Sequence, residues 1–248
     1  MRNFVFGVQA VYELLRMRPD DVVQVIIVKG RTLRNLDRVL ELSKRNHISI
    51  VQKDKQAFVE WESLNHQGVV AEVRSRTHVS LEEILHRITH RQTPGFLLVL
   101  DEITDPHNLG ALIRSAACAG TDAVIIPRRG AAQVTPVVVK VSAGGTEHVS
   151  LCRVTNVNYT LEKIKQAGFL TVGLSLEART SLFDLALEGH TALVIGNEER
   201  GLRRMVTQNC DQLVKIPMLG QLDSLNASVA GGIALFEVLR QRAPLQPK

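Results

Sequence analysis

The stretch Asp101-Glu-Ile-Thr-Asp-Pro-His-Asn-Leu-Gly-Ala-Leu-Ile-Arg-Ser-Ala116 joins a predicted strand to a predicted helix. The apolar run at 96–100, Phe-Leu-Leu-Val-Leu, precedes it and is typical of a buried strand. The small and apolar residues that follow recur at helical spacing, which puts them on one stripe: Leu109, Leu112, Ile113, Ala116, Ala117 and Gly120. Arg114 falls on the opposite face. Ligands bind at such strand-to-helix edges in open α/β sheets, although the segment alone also fits a plain turn with a solvated arginine.

Two later segments have the same form. The run 191–196 breaks into Gly196-Asn-Glu-Glu-Arg-Gly201-Leu, and the run 211–216 breaks into Pro217-Met-Leu-Gly-Gln-Leu-Asp-Ser-Leu-Asn226. Each alone fits a strand end followed by a turn and a helix cap. Together, and in this order, the three segments closely resemble the signature motifs of the SpoU (TrmH) family of RNA ribose 2'-O-methyltransferases.

The resemblance extends to the front of the chain. Phe6-Gly-Val-Gln-Ala-Val-Tyr-Glu-Leu-Leu15 and His66-Gln-Gly-Val-Val-Ala-Glu-Val73 look like the small RNA-substrate-binding domain that many members carry. The likeness is strongest to members that methylate a guanosine in large-subunit (23S) ribosomal RNA. Three alternatives stay open: a relative acting on tRNA or another rRNA site, a non-catalytic RNA-binding member, and an enzyme acting on protein or small molecules.

The fold expected from the pattern is α/β. Helix-like and strand-like runs alternate after residue 96, which predicts a mostly parallel sheet with helices on both faces. The resemblance implies that residues 96–248 form a knotted (SPOUT) methyltransferase domain with a deep trefoil knot. It also implies an L30e-like RNA substrate-binding domain at 1–76, with 77–95 as a linker. Within that linker, Ser80-Leu-Glu-Glu83 predicts the start of a short helix.

The chain has neither a Gly-x-Gly-x-x-Gly motif nor a Walker loop, which disfavours dinucleotide and nucleoside triphosphate sites. The resemblance implies S-adenosylmethionine as cofactor, held mainly by backbone. The residues expected to bind it are Leu174, Gly196, Gly201, Ile216, Met218 and Leu225. No metal site is predicted, because Cys118, Cys152 and Cys210 are odd in number and widely spaced. We expect buried or incidental thiols.

The resemblance also assigns catalytic roles. Arg114 would activate the ribose 2'-hydroxyl electrostatically, because a guanidinium stays protonated at neutral pH, although acceptance of a proton with help from an RNA phosphate remains open. Asn108 would orient Arg114 or the ribose, and Glu198 would hold Arg114 or the cofactor loop. Ser224 and Asn226 would complete the pocket, or serve only as caps of the last helix.

Glu199 and His107 lie next to these residues in the sequence. Glu199 stands where the family usually has a glycine, so a positive φ angle there would strain the loop. His107, beside Asn108, fits a residue of the first helical turn better than a catalytic base.

Charge and hydrophobicity along the chain indicate which partners the protein binds. The 248 residues carry a net charge of +5, and residues 1–95 hold 15 Lys+Arg against 11 Asp+Glu, which favours RNA contact at the front. No membrane or DNA partner is predicted. The N-terminus lacks the apolar core of a signal peptide, so we expect a cytoplasmic protein. The last helix carries an apolar seam that predicts a homodimer contact: Leu225, Val229, Gly232, Phe236 and Leu239.

Overall fold

The computed structural model describes residues 3–30, 35–64, 66–74 and 79–242. These residues form two compact units. The first combines the described residues up to 74 with Val134–His148, and the second combines residues 79–133 with 149–242. Within the described ranges, no helix is long and apolar enough to cross a membrane.

The first unit is built on a four-stranded sheet. Its elements before residue 74 are β1 (Asn3–Phe6), α1 (Val8–Met17), β2 (Val22–Val28), α2 (Leu36–Arg45), β3 (Ser49–Lys53) and β4 (Val69–Val73). The strand order is β1-β4-β2-β3, with β2 and β3 parallel and the other pairs antiparallel. The small α/β unit expected here is confirmed.

Both faces of this sheet are covered. Val25 and Ile27 of β2 pack in a core with α1, whereas Ile26 and Val28 pack on the other face against Phe58, which lies in a 3-10 helix at Lys55–Leu64. Successive strand residues point to opposite faces, so one apolar run supplies both cores.

The second unit holds a seven-stranded sheet. The remaining elements are α3 (Leu81–Thr89), β5 (Phe96–Asp101), α4 (Pro106–Cys118), β6 (Ala123–Pro127), α5 (Pro136–Val141), α6 (Gly145–His148), β7 (Ser150–Val154), α7 (Val157–Gln166), β8 (Leu170–Leu174), β9 (Thr180–Ser181), β10 (Thr191–Gly196), α8 (Arg204–Asn209), β11 (Gln212–Lys215) and α9 (Ala227–Arg242). The strand order is β7-β6-β5-β10-β8-β11-β9, and each pair is parallel. The predicted parallel sheet is confirmed. The short elements β1, β9, α6 and α8 were not predicted, because two to six residues carry too little periodicity.

Helix α3 belongs to the core of the second unit. Leu81, Ile84 and Ile88 are buried there among strand residues of the sheet. The Ser80 hydroxyl accepts a hydrogen bond from the backbone N–H of Glu83 at 3.1 Å, as the capping pattern predicts. Most of the range 77–95, expected as a linker, is therefore ordered structure, and residues 77–78 lie outside the described part.

Helices α5 and α6 pack in the first unit although they follow β6 in sequence. Val139 of α5 packs against the core that contains the buried residues of α1. His148 Nε2 lies 2.9 Å from the Glu13 carboxylate, and Arg18 Nε donates to Glu147 Oε2 at 2.7 Å. Helices α5 and α6 nevertheless lie inside the range 96–248 that the family resemblance assigns to the methyltransferase domain.

Helices α4 and α9 pack against each other beside β10. The predicted stripe of α4 is buried at Leu109, Leu112, Ile113 and Ala116, and Arg114 is exposed as expected. The predicted seam of α9 is not its buried face, however. Val229 and Phe236 are half exposed, and α9 begins only at Ala227, after Leu225. The buried residues of α9 are Ala227, Gly231, Ala234, Leu235, Glu237 and Val238.

Two adjacent glycines of α9 should respond oppositely to alanine. A Cβ at Gly231 would lie 2.3 Å from Leu112 Cδ2 and 2.6 Å from Ile195 Cδ1, whereas one at Gly232 would come no closer than 3.7 Å to Ser115 Oγ. Gly231→Ala should therefore lower the free energy of unfolding by about 1–3 kcal/mol through overpacking. Gly232→Ala should raise it by about 0.5–1 kcal/mol through helix propensity. Urea denaturation of both variants measures the difference, and equal effects would contradict the packing argument.

The three cysteines are free and differ in reactivity. Cys118 is exposed, while burial raises the pKa of Cys152 to about 11 and that of Cys210 to about 12. Only the thiolate is nucleophilic, so at pH 8 a disulfide reagent should label Cys118 alone in the native protein and all three cysteines in denaturant. Rapid native labelling of a second cysteine would contradict these burial effects.

Candidate functional site

A pocket of about 310 Å³ opens at the carboxyl ends of β8, β10 and β11. Its walls are three loops and the first turn of α9. The loops run through 174–177, 196–202 and 214–225, although not every residue of the last one faces the cavity. Because parallel strands end at the same edge, segments far apart in sequence meet here.

The residues expected to bind the cofactor lie together. All six line this pocket: Leu174, Gly196, Gly201, Ile216, Met218 and Leu225. Glu198 and Ser224 line it as well. The start of α9 at Ala227 places Leu225 in the loop that faces the cavity rather than on the helix.

The loop after β10 is folded tightly on itself. Asn197 and Gly201 exchange two backbone hydrogen bonds of 3.0 and 2.9 Å, and Gly201 has a φ of 66°. A Cβ at Gly196 would lie 2.2–2.3 Å from backbone atoms of Gly201 and Leu202. Glycine at 196 is thus required by the close approach of the returning chain. Glu199 is not among the described residues with positive φ, so the strain considered for it is absent.

A chain of polar side chains runs beside the pocket. Asn108 Nδ2 donates to Glu198 Oε1 at 2.6 Å, and Asn226 Nδ2 donates to Asn108 Oδ1 at 3.0 Å. Asn226 Oδ1 also accepts the backbone N–H of Ser228 at 2.9 Å and so caps α9. The amide of Asn108, 8% exposed, is therefore fixed by one residue from each of the other two motifs.

Arg114 is not part of this hydrogen-bonded network of Asn108, Glu198 and Asn226. It lies six residues beyond Asn108 on α4, about 9 Å along the helix axis. Among the described residues it makes no hydrogen bond or ion pair, and its side chain is exposed. Asn108 and Glu198 are hydrogen-bonded to each other, and neither is hydrogen-bonded to Arg114 in the described structure.

Asp101, Asn197 and Arg203 also organise the site but were not predicted. Arg203 Nε donates to Asp101 Oδ1 at 2.8 Å, and its backbone N–H donates to Oδ2 at 2.9 Å. The hydrogen bond to Asp101 raises the pKa of Arg203 above its usual value. The amide of Asn197 donates to the Glu102 carbonyl and accepts from the N–H of Glu199. Asp101 ends β5 and Asn197 follows β10, so polar residues at strand ends were the available signal.

The described residues contain no cluster of three or more His, Cys, Asp or Glu side chains placed to hold a metal ion.

Comparison with known families matches both parts of the chain. Residues 95–236 match the SpoU rRNA Methylase family, and residues 4–79 match the family described as RNA 2'-O ribose methyltransferase substrate binding. The first match covers more than half of the chain.

Similar full-length proteins carry one curated description. Proteins from Pseudomonas aeruginosa and Pseudomonas putida, each named 23S rRNA (guanosine-2'-O-)-methyltransferase RlmB, are 44% and 43% identical to this chain. The alignments cover 98% of both chains in the first case and 96% of both in the second.

Solved structures share the fold over nearly the whole chain. The SpoU methyltransferase AviRb from Streptomyces viridochromogenes, solved in complex with AdoMet, is 27% identical with a TM-score of 0.79, covering 97% of this chain and 90% of that one. A structure described as an RNA 2'-O ribose methyltransferase is 26% identical with a TM-score of 0.77, covering 97% and 88%. With its three motifs gathered around one pocket, the chain belongs to the SpoU rRNA methylase family.

Proposed function

We propose that the protein transfers a methyl group from S-adenosylmethionine to the ribose 2'-hydroxyl of a guanosine in 23S ribosomal RNA. One observation carries the proposal. Residues of the second and third motifs line a single pocket, and Asn108 of the first motif is hydrogen-bonded to Glu198 of the second and to Asn226 of the third. The substrate class comes from relatives above 40% identity that align over nearly their full length.

The pocket fits S-adenosylmethionine in size and in chemistry. Small-molecule sites typically span about 300–1,000 Å³, and this cavity is about 310 Å³. Ile216, Met218 and Leu225 supply apolar surface suited to an adenine ring. A Cβ on Gly201 would meet no atom within 4 Å, so the backbone of Gly201 faces open space at the pocket wall. The trefoil knot that the family resemblance implies stays a prediction.

The proposed chemistry divides between positioning and charge. S-adenosylmethionine, when bound, supplies a methyl group activated by a sulfonium. The fixed Asn108–Glu198 pair holds the motif-one helix against the cofactor loop, and Asn226 ties the start of α9 to both. Arg114, free of intramolecular partners in the described structure, would stabilise negative charge developing on the 2'-oxygen. Ser224 is available at the pocket wall to contact cofactor or ribose.

We also propose a homodimer formed through α9. Val229 and Phe236 are half exposed on the face of α9 that is turned away from the core. A second copy would remove this apolar surface from water. Light scattering at micromolar concentration should give twice the chain mass of 27.4 kDa, and Phe236→Glu should give the monomer. A monomeric wild-type chain would refute this part of the proposal.

The division of labour follows the two family matches. We assign RNA substrate binding to residues 1–76 and catalysis to 96–248, with 77–95 between them. Because the substrate of the curated relatives is ribosomal RNA, we place the activity in the cytoplasm, where bacterial ribosomes assemble.

Three measurements test the function. Calorimetry should detect S-adenosylmethionine binding, and radiolabelled methyl transfer should occur to unmodified 23S rRNA but not to tRNA. Mass mapping of rRNA from a deletion strain should show one guanosine that lacks its ribose methyl group. Transfer to tRNA alone would favour the other branch of the family, and binding without transfer would favour a non-catalytic member.

A further inference from the structure

The second unit carries a group of arginines that the methylation pocket does not use. We propose that Arg128, Arg129 and Arg153 form a phosphate-binding site for the RNA backbone at the carboxyl edge of the sheet. This inference rests on the proposed function, because it takes RNA as the partner. It adds a substrate contact on the catalytic unit, although most of the excess positive charge lies in residues 1–95.

Arg128 and Arg153 are held side by side at the end of the sheet, and Arg129 is the next residue in the chain after Arg128. Strands β6 and β7 run parallel with Ile126 opposite Arg153, so Arg128 emerges just beyond the neighbouring strand end. Arg128 Nε lies 3.5 Å from the Arg153 carbonyl oxygen, and Arg153 Nη2 lies 3.4 Å from the Arg128 carbonyl oxygen. Arg153 also donates to Gln133 Oε1, and Gln133 Nε2 donates to the Ala131 carbonyl at 2.9 Å. Arg128 and Arg153 are therefore held in place by these hydrogen bonds, and Arg129 is exposed beside Arg128.

None of the three guanidinium groups has a carboxylate partner within the described part of the chain. Two carboxylates near this edge are already paired with Arg203. Arg203 Nη2 lies 2.6 Å from Asp101 Oδ1, and Arg203 Nη1 lies 3.2 Å from Glu102 Oε1. Glu82, whose negative charge acts on the Cys152 thiol of β7, is paired with Lys163 at 2.5 Å. Adjacent like charges without counter-charges are unfavourable, so an anion is the ligand that this surface lacks.

The position of the loop fits a substrate contact. The N–H of Ala132 donates to the carbonyl of Ile103 at 2.8 Å, which ties the arginine loop to the motif-one loop. Gly130 lies next to the Glu102 side chain: a Cβ added there would be 3.4 Å from Glu102 Oε1. The backbone carbonyl of Glu102 accepts a hydrogen bond from the side-chain amide of Asn197 in the motif-two loop. The three loops thus form one continuous edge. RNA that enters the pocket region would lay its backbone along this edge, where bidentate guanidinium groups match phosphate oxygens.

The test is the salt dependence of RNA binding by the full chain. Arg128→Gln and Arg129→Gln each remove one charge without touching the pocket. Each arginine that binds one phosphate contributes about 0.7–0.9 to the slope of log affinity against log salt, so each single variant should reduce the slope by that amount. The double variant should reduce it by about twice as much. Arg129→Lys should keep most of the slope, because the salt dependence follows the charge.

A matched variant and two further readouts separate this site from other causes. Arg87→Gln removes one charge beside Ser150, at the opposite edge of the sheet, and should leave RNA affinity unchanged. In the Arg128 and Arg129 variants, S-adenosylmethionine binding and kcat should stay at wild-type values while KM for unmodified 23S rRNA rises. An unchanged slope in the double variant, or an equal reduction with Arg87→Gln, would overturn the proposal. RNA binding is measured without methyl transfer, so absence of turnover would count against the proposed function and leave this test readable.

Discussion

Replacing Arg114 with alanine should abolish methyl transfer while leaving the fold and S-adenosylmethionine binding intact. The side chain is exposed and makes no described intramolecular contact, so its removal creates no cavity and leaves no buried group unpaired. Loss of one charge-stabilising donor costs about 10²–10³-fold in kcat, and the loss should be at least that large for the only cation assigned to the reacting oxygen. Single-turnover methyl transfer to unmodified 23S rRNA measures it.

Cys118→Ser provides the control for this experiment. Cys118 is exposed one turn further along α4, so its replacement should alter neither activity nor stability. The thermal midpoint and the cofactor affinity of Arg114→Ala should match those of the control. Turnover within tenfold of wild type would refute the role assigned to Arg114, whereas loss of cofactor binding would show a structural role instead.

Gly196→Ala should disrupt the pocket itself. Its Cβ would lie 2.2–2.3 Å from the backbone of Gly201 and Leu202, and backbone cannot rotate away as a flexible side chain can. The pair of hydrogen bonds between Asn197 and Gly201 would have to break or shift. We expect S-adenosylmethionine affinity to fall about tenfold or more, which corresponds to about 1.4 kcal/mol, together with a lower thermal midpoint. Calorimetry and thermal denaturation give the two numbers.

Gly220→Ala is the matched control, because it makes the same change in another loop next to the site. A Cβ at Gly220 meets no atom within 4 Å, and its φ is not in the left-handed region. Cofactor affinity and stability should therefore stay at wild-type values. Equal losses in the two variants would mean that glycine flexibility, rather than close approach at Gly196, governs the pocket.

Much of the fold was predictable because its signals are local. The apolar runs at 96–100 and 191–196 are fully buried in neighbouring strands β5 and β10, as their composition requires. The stripe on α4 and the cap at Ser80 also appear where spacing and residue type place them. The apolar seam of α9, predicted as a dimer contact, is not the face that packs in the core: Val229 and Phe236 are half exposed. Small residues such as Gly231 allow a helix to pack closely, so its buried face need not be its most hydrophobic face.

The parallel sheet, the family and the residues that gather at the pocket could all be inferred from consecutive residues, since strand ends and glycine-rich turns are local features. The pairing of the polar side chains could not, and it emerges only when the chain is folded. Asn108 meets Glu198 across 90 residues and Asn226 across 118, and Arg114 stays outside that network. The packing of residues 134–148 with the first unit likewise has no local signal. Such contacts depend on which strands lie side by side, and strand order is fixed by the packing of the whole chain rather than by any one segment.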